Sequence, residues 1–336
     1  MMKTVRKLNP GGSTGRQSQP ISPEKRLPDT GAVIFQRAAE LEILAAGLFA
    51  GFSTALERDP AEGLSQRIEG LLNHSAALSG DGGQGGHAPR FGAPLLLKQV
   101  HSAEIVDAAR ISGFSTGSAL QSPSIQELPR ADGATSTLRH GGLLAIKTAD
   151  CVPLLAVDGE GGQGASTRGA STRGAATRGA STNGAATRYA ALHAGWRGTA
   201  AGILPALLGG WREAGSNLEN VALALGPHIG GCCYEVRDDC LEQFAAADLE
   251  GAVTRIGGRA HLDLGRVLRA QAERLGVPAG RIVVSSHCTR CHTDAEGRHP
   301  YASHRRASAG GQALGHINVA VIGRLLPAGD GGGDAG

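Results

Sequence analysis

The sequence predicts a mixed fold of α-helices and β-strands. Short apolar runs that fit buried strands are interspersed with longer stretches of helical spacing, an order typical of mixed classes. Hydrophobic residues make up 41% of the 336 residues, which is enough for a sizeable core. Glycine is abundant at 52 residues and aromatics are only 3%, so part of the length is expected to lie outside that core.

The individual elements follow from apolar periodicity and from glycine signals. The predicted strands are residues 48–54, 94–100 with 105–108 as a possible partner, 189–193, 221–225 and 281–285, and residues 317–325 form a final apolar element of open type. The predicted helices are residues 61–78, 197–213 with a break at Gly209-Gly210, 238–247, and 264–275 closed by Gly276.

One further pair of apolar runs surrounds a cysteine. Residues 141–148 and 152–157 bracket Ala149-Asp150-Cys151, and we interpret them as two halves of a strand pair or as one bent strand. In either case Cys151 lies at a strand boundary.

Low-complexity segments limit the ordered part of the chain. The composition of residues 1–30 predicts a disordered basic tail, and that of residues 327–336 predicts a Gly-rich tail. Between 164 and 188 a five-residue unit repeats five times, so we expect a disordered insertion over about 159–188. A single catalytic domain is therefore predicted over 31–326.

Charge and hydropathy exclude two classes of partner. The net charge is +3, and no basic stripe with interleaved aromatics is present, so nucleic-acid binding is not expected. No apolar run approaches the roughly 20 residues that a membrane helix needs, and no secretory signal opens the chain. We expect a cytoplasmic protein whose six cysteines are thiols, metal ligands or catalytic groups.

Three residues of metal-binding type stand where predicted strands give way to loops. They are His101, Cys151 and His193. Two imidazoles and a thiolate suit a catalytic zinc with one open position, which would polarise oxygens. Taken singly, each residue also fits a structural role, the cysteine as a buried small side chain and the histidines as loop hydrogen-bonders.

A second cysteine-rich segment lies at residues 286–292. Its Cys-x-x-Cys-His pattern resembles a haem attachment site, which the lack of an export signal disfavours. The Cys288–Cys291 pair also fits half of a structural zinc site. Cys232 and Cys233 are adjacent in the sequence, so the sequence offers no matching second pair.

Two polar segments favour anion binding. Ser303-His304-Arg305-Arg306 places two guanidiniums beside an imidazole, a combination that binds phosphate or carboxylate. The glycine-rich turn over 226–236 allows backbone N–H groups to approach an anion, although a plain turn fits it equally well.

Six short motifs of the sequence, taken together, resemble those of one known family. In chain order they are KQVHS at 98–102, TADCVPLL at 148–155, HAGWRG at 193–198, GPHIGGCCYEV at 226–236, CTRC at 288–291 and SHRR at 303–306. This order closely resembles the multicopper polyphenol oxidoreductase family, also called the laccase-domain, YfiH or peptidoglycan-editing-factor family, over about residues 49–322.

The resemblance implies a fold and a set of ligands. The family fold is α+β, with layered mixed β-sheets flanked by helices, and is similar to the cysteine hydrolase domain of cytotoxic necrotizing toxins. The residues that match the family's zinc ligands are His101, Cys151 and His193. The toxins' Cys and His match Cys151 and His193 as a reactive pair.

The resemblance also implies a reaction. Family members split adenosine, inosine, guanosine or methylthioadenosine with phosphate into base and pentose 1-phosphate, and deaminate adenosine. Copper-dependent polyphenol oxidation, hydrolytic editing of a peptidoglycan precursor, and a non-catalytic nucleoside- or metal-binding role are the alternatives. Multicopper oxidation needs many clustered histidines, and this chain has 12, with no His-x-His pair.

The predicted roles are divided among a few side chains. Cys151, His193, Asp150 and Arg197 are the predicted catalytic residues, with Asp132 a second candidate for proton transfer. The predicted substrate-binding residues are Gln99, His304, Arg305 and Arg306. The expected partners are a purine nucleoside and phosphate, with zinc as cofactor and copper as its alternative; the sequence leaves the oligomeric state open.

Overall fold

The computed structural model describes residues 35–37, 48–57, 68, 94–111, 114, 129–159 and 187–324. The predicted tails, the helix over 61–78 apart from Ile68, and nearly all of the insertion over 159–188 lie outside the described residues. Within the described part, no helix has the length and apolar character to cross a membrane.

The first sheet has six strands, with the last strand of the chain near its centre. Its strands are β1 (Phe35–Arg37), β2 (Leu48–Ser53), β3 (Leu56–Glu57), β4 (Pro94–Leu96), β7 (Leu143–Thr148) and β15 (His316–Arg324). Strand β15 pairs antiparallel with β2, β3 and β7. Strand β1 pairs antiparallel with β2, and β4 pairs parallel with β7.

The second sheet also has six strands, in the order β14-β10-β8-β9-β6-β5. Its four inner strands pair antiparallel, and both edge strands pair parallel to their neighbours. The strands are β5 (Ile105–Asp107), β6 (Gly133–Thr137), β8 (Val152–Asp158), β9 (Arg188–Ala194), β10 (Val221–Leu225) and β14 (Ile282–Val284).

A small third sheet and the helices complete the described structure. The third sheet is antiparallel and contains β11 (Glu235–Val236), β12 (Val253–Ile256) and β13 (Arg259–Leu262). The helices are α1 (Trp196–Ala200), α2 (Ile203–Glu213), α3 (Asp238–Leu241), α4 (Ala246–Leu249), α5 (Leu264–Leu275) and α6 (His304–Ala309).

The second sheet is the middle layer of the structure, and both of its faces are buried. Along β8, Leu154 belongs to an apolar cluster that includes residues of α2 and α5, whereas Leu155 belongs to a cluster that includes residues of the first sheet. The outer face of the first sheet buries a third apolar group that includes Phe49 and Val321. These layered sheets with flanking helices confirm the predicted α+β class.

Several predicted elements are confirmed. Helix α5 has the predicted bounds and ends at Gly276, whose φ of 105° lies in the left-handed region that glycine tolerates. Strands β2, β9, β10 and β14 lie within one or two residues of their predicted positions, and the final apolar element over 317–325 is strand β15.

Four local predictions were wrong. Residues 105–108 do not pair with residues 94–100, because β5 and β4 belong to different sheets. The strand from Pro94 also ends at Leu96. The helix over 197–213 breaks at Ala201-Gly202 rather than at Gly209-Gly210, which are helical, and residues 238–247 form two short helices.

The most important correction concerns the segment around Cys151. Strand β7 belongs to the first sheet and β8 to the second, so they are neither a strand pair nor one bent strand. The chain crosses between the two sheets at residues 149–151. Both sheets are buried on both faces here, so the two strands have the same continuous apolar pattern and the sequence does not separate them.

A close backbone contact fixes helix α1 against the loop that carries His101. A Cβ at Gly198 would lie 2.7 Å from the carbonyl oxygen of Ser102. We therefore expect Gly198→Ala to lower the free energy of unfolding by about 1–3 kcal/mol, because a backbone atom must move. Denaturant unfolding measures the change.

The matched control is Gly210→Ala in α2, where nothing lies within 4 Å of the added Cβ. Replacing an exposed helical glycine with alanine should stabilise the protein by up to about 1 kcal/mol. Equal stability of the two variants would contradict the tight contact at Gly198.

Candidate functional site

His101, Cys151 and His193 converge at one edge of the second sheet. The end of β9 lies beside the start of β8, with Val152 opposite Ala194, and beside the start of β6, with Gly133 opposite Leu192. One donor atom from each of the three side chains lies within 4.8 Å of the other two. His193 is buried, Cys151 is partly buried and His101 is exposed, so the cluster opens to solvent on one side.

The carboxylate of Asp132 fixes two of these residues. Its Oδ1 accepts hydrogen bonds from His193 Nδ1 at 2.8 Å and from the backbone N–H of His101 at 3.0 Å. Its Oδ2 accepts from the backbone of Val100 and from both the backbone and the hydroxyl of Ser102. This hydrogen bond uses Nδ1 of His193, so Nε2 is the ring nitrogen that can act as a ligand in the cluster.

The electrostatics of the cluster favour a thiolate beside a charged imidazole. Burial opposes ionisation of Cys151, but hydrogen bonds from His101 and His193 outweigh it and lower the pKa of the thiol to about 7. Burial likewise opposes the charge on His193, but Asp132 and Cys151 raise its pKa to about 9. Despite the cost of burial, the hydrogen bond from His193 holds the pKa of Asp132 well below its usual range.

The backbone at the cluster is strained. His101 has φ of 60° and Asp150 has φ of 95°, and among the described residues they are the non-glycine positions in the left-handed region. Such conformations cost about 1–3 kcal/mol each and concentrate at functional sites. Gly195 supplies the space between the side chains, because a Cβ there would lie 2.9 Å from Cys151 Sγ and 3.3 Å from His101 Cδ2.

Asp150 is buried, and both of its carboxylate oxygens are engaged. Oδ1 accepts from the hydroxyl of Thr289 at 2.7 Å, and Oδ2 accepts from the backbone N–H of Arg305 at 2.7 Å. The carboxylate therefore joins the residue before Cys151 to the loop that follows β14 and to the start of α6.

Two predicted arginines lie with aromatic side chains at the site. Arg197 is exposed, and its guanidinium carbon lies 4.5 Å from the ring centroid of Trp196. Arg305 lies 5.0 Å from the ring centroid of Tyr234 and donates to the carbonyl of Glu235. Burial raises the pKa of Cys240, and both guanidiniums act in the opposite direction.

The remaining predicted substrate-binding residues have different surroundings. Arg306 donates its guanidinium hydrogens to the carbonyls of Thr289, Arg290 and Tyr301. Gln99 pairs its side-chain amide with the backbone of Lys147 in β7, at 2.7 and 2.9 Å. His304 is exposed at the start of α6. These roles stay predictions, and the contacts of Gln99 and Arg306 favour holding the loops in place.

A separate cleft lies away from the three converging residues. It has a volume of about 240 Å³ and is lined by residues that include Phe52, Asp294 and Tyr301, with His287 stacked on His292 at a centroid distance of 3.8 Å. None of the three converging side chains lines it.

The donor set fits a zinc ion. A Cys/His mix with three protein ligands and one open position is an accepted catalytic zinc set. Cys151 has a lowered pKa, as a metal-binding thiol requires, and Gly195 keeps the space between Cys151 and His101 free of a side chain. Asp132 supplies the carboxylate partner that metal-bound histidines usually have.

A family model matches this chain over more than half of its length. The family model described as multi-copper polyphenol oxidoreductase laccase matches residues 88–176 and 182–320, which is more than half of the chain. The chain belongs to this laccase-like family. The break in the match falls inside the repeated segment, and the matched residues contain every member of the cluster.

Curated relatives of this laccase-like chain are named for purine chemistry. A protein from an unknown prokaryotic organism named adenosine deaminase RL5 is 34% identical over 165 residues, 48% of this chain and 53% of that protein. A purine nucleoside phosphorylase from Deinococcus radiodurans is 36% identical over 210 residues, 62% and 63% of the two chains. The chain spans between half and two thirds of the length of these relatives.

A solved structure of a laccase-like relative shows the same fold. The crystal structure of the hypothetical protein YfiH from Bacillus licheniformis superposes with a TM-score of 0.60 at 24% identity, and the match covers 89% of this chain and 98% of that one.

Sequence reasoning missed several residues of this laccase-like site. Tyr234 lies near Cys151 and Arg305, and burial raises the pKa of its hydroxyl above the usual value, so it stays protonated. Ser102 and Thr289 hold the two aspartates. Tyr234, Ser102 and Thr289 all stand inside the quoted motifs, and that position is the one signal that points to them.

Asp132 provides a test of the metal role. We expect Asp132→Asn to weaken zinc binding by about 10- to 100-fold, because it removes the charge that orients His193 and strengthens it as a ligand. Competition against a chromogenic chelator measures the affinity.

The matched control is Asp158→Asn. Asp158 is also a buried carboxylate, but its partners are Ser216 and Arg188 at the far end of β8. Unchanged zinc affinity in Asp132→Asn, or an equal loss in Asp158→Asn, would contradict the role of Asp132.

Proposed function

We propose that the chain is a zinc-dependent purine nucleoside phosphorylase with a side activity as an adenosine deaminase. The observation that supports this most is the convergence of His101, Cys151 and His193 around one point, with Asp132 behind His193. The names of the relatives supply the substrate class, which includes adenosine, inosine, guanosine and methylthioadenosine in our proposal.

Zinc would be held by His101, Cys151 and His193. When bound, it supplies a Lewis acid that polarises a substrate oxygen. The partly exposed edge of the cluster, on the side of His101, gives substrate its access.

The chain's cations would bind phosphate. The guanidiniums of Arg197 and Arg305 each lie against an aromatic ring, which leaves N–H groups for bidentate contacts with an anion. Holding phosphate next to the nucleoside turns a reaction between two molecules into one between held groups.

The proposed reaction is phosphorolysis. A phosphate oxygen forms a bond to the anomeric carbon of the pentose, the bond from that carbon to the purine nitrogen breaks, and its electron pair leaves with the purine. The purine then takes up a proton, so the products are free base and pentose 1-phosphate. The hydrogen phosphate gives up its proton as its oxygen bonds to the sugar, and this balances the proton that the purine gains.

Asp150 acts in this proposal as a positioning residue. Both of its oxygens already accept hydrogen bonds, so we propose that it holds Cys151 and Arg305 in place rather than moving the proton. We propose the same kind of role for Gln99 and Arg306 in holding the loops, and contact with substrate for the exposed His304.

The side activity, deamination of adenosine, uses water instead of phosphate and acts on the purine ring rather than on the sugar. Water adds at the carbon that bears the amino group of adenosine, and ammonia leaves to give inosine. The relative named adenosine deaminase RL5 supports this reaction.

Copper-dependent phenol oxidation is a second candidate, because the family description names it. Multicopper oxidation needs a larger, histidine-rich ligand set than the three residues of this cluster provide, so we rank it lower. We further propose one catalytic domain over residues 31–326 working in the cytoplasm, where a reducing environment keeps the six free cysteines as thiols.

The first test is a product assay on zinc-loaded protein. Adenosine and inosine are incubated with and without phosphate, and the products are separated by chromatography. We expect free base only with phosphate, and a loss of at least about 100-fold in Cys151→Ala, because the cluster loses its thiolate. The control is Cys240→Ala, another cysteine outside the proposed ligands.

Zinc-loaded protein that forms neither base nor inosine would contradict the proposal. It would favour hydrolysis of a peptidoglycan precursor, or nucleoside binding without turnover. Oxygen uptake on a phenol, dependent on copper, would favour the oxidase alternative.

The phosphate site makes a separate prediction. We expect Arg197→Ala to raise the KM for phosphate by about 10-fold or more, with a smaller effect on the KM for nucleoside, because one charge-assisted contact is lost. Steady-state kinetics with phosphate varied measures it. The control is Arg255→Ala, an exposed arginine in β12. Equal KM values in the two variants would contradict the role of Arg197.

A further inference from the structure

Four cysteines outside the candidate active site form a second cluster. They are Cys232, Cys233, Cys288 and Cys291, whose sulfur atoms all lie within 4.8 Å of one another. The expectation that Cys288 and Cys291 have no partner pair was wrong. Adjacent cysteines do not have the spacing of a zinc half-site, so only the fold shows that Cys232 and Cys233 supply the second pair.

Sheet topology brings the four residues together. Strands β10 and β14 are parallel neighbours, so the loops that follow them leave the second sheet at the same edge. His228 and Cys288 continue the parallel pairing beyond the strands, and the backbone N–H of Thr289 donates to the carbonyl of His228 at 2.9 Å. Arg290 also donates to the carbonyl of Cys233 at 3.2 Å.

The spacing of the sulfurs fits one tetrahedral ion. Zinc–sulfur bonds of about 2.3 Å place the thiolates of a tetrahedral site about 3.8 Å apart. The sulfurs of Cys232 and Cys291 lie 3.7 Å apart. A disulfide needs about 2.0 Å between sulfurs, and all four cysteines are free thiols.

The backbone around Cys288 is arranged for a thiolate. The N–H of Gly230 donates to its sulfur at 3.3 Å.

We propose that Cys232, Cys233, Cys288 and Cys291 bind a single zinc ion in a structural site distinct from the His101–Cys151–His193 cluster. Four thiolates with no open position are a known structural zinc set. The ion has a path from solvent, because Cys232 and Cys291 are exposed and a cleft of about 380 Å³ is lined by Cys232 and Cys288.

The ion would stabilise the active-site edge as well as the two loops. Thr289 lies between the two cysteines of the second pair, and its hydroxyl donates to Asp150 beside Cys151. The Arg306 guanidinium binds the carbonyls of Thr289 and Arg290 in the same loop. The tetrathiolate site therefore fixes the loop that holds Asp150.

Metal analysis of the full chain, purified under reducing conditions, tests the site. We expect about two zinc ions per chain in the wild type and about one in Cys232→Ala and in Cys291→Ala. Both side chains are exposed, so their removal leaves no buried cavity. His101→Ala should lose the other ion, and Cys240→Ala, a buried cysteine outside both clusters, should keep both.

Cobalt substitution gives a second readout that does not depend on nucleoside turnover. Four thiolates should give most of the sulfur-to-cobalt absorption, so Cys291→Ala should lose most of it, whereas His101→Ala should retain most of it. A zinc content in Cys291→Ala equal to that of the wild type, or cobalt absorption unchanged in that variant, would overturn the proposal. Neither result depends on whether the chain is a phosphorylase.

Discussion

The carboxylate of Asp132 is the constraint on which the candidate site depends. It is fully buried, and it accepts hydrogen bonds from the backbone of three successive residues around His101 and from the ring of His193. A buried carboxylate without partners would be costly, so these bonds also stabilise the ionised form. One acceptor thus sets both the loop that carries His101 and the orientation of His193. Its position just before β6 fixes that acceptor to the sheet.

Much of the fold could be predicted from the sequence, but not the assignment of strands to sheets. Helix α5 shows why the prediction was good there: its apolar face, its N-terminal Asp263 and the closing Gly276 are all local signals. Strands β7 and β8 show the limit. Each is buried on both faces, so each is a continuous apolar run, and nothing local distinguishes one sheet from the other.

The same division applies to the site. His101, Cys151 and His193 stand out because each is a metal-binding type of residue at the end of a strand, and the structure brings their side chains together. The partners of these residues are harder to predict, since Asp132 and His193 are 61 residues apart and Thr289 and Asp150 are 139 apart. Such contacts are set by strand register. The pairing of Cys232 and Cys233 with Cys288 and Cys291 also depends on register and has no signal in the local spacing.

The two clusters are joined through Asp150, and this connection gives the strained backbone at that residue a physical reason. A φ of 95° turns the chain as it passes from β7 in the first sheet to β8 in the second. That conformation is costly without compensation. The hydrogen bonds from Thr289 and from the N–H of Arg305 supply the compensation. Because Thr289 lies inside the second cysteine pair, a zinc ion held there would maintain this bond and, through it, the position of Cys151.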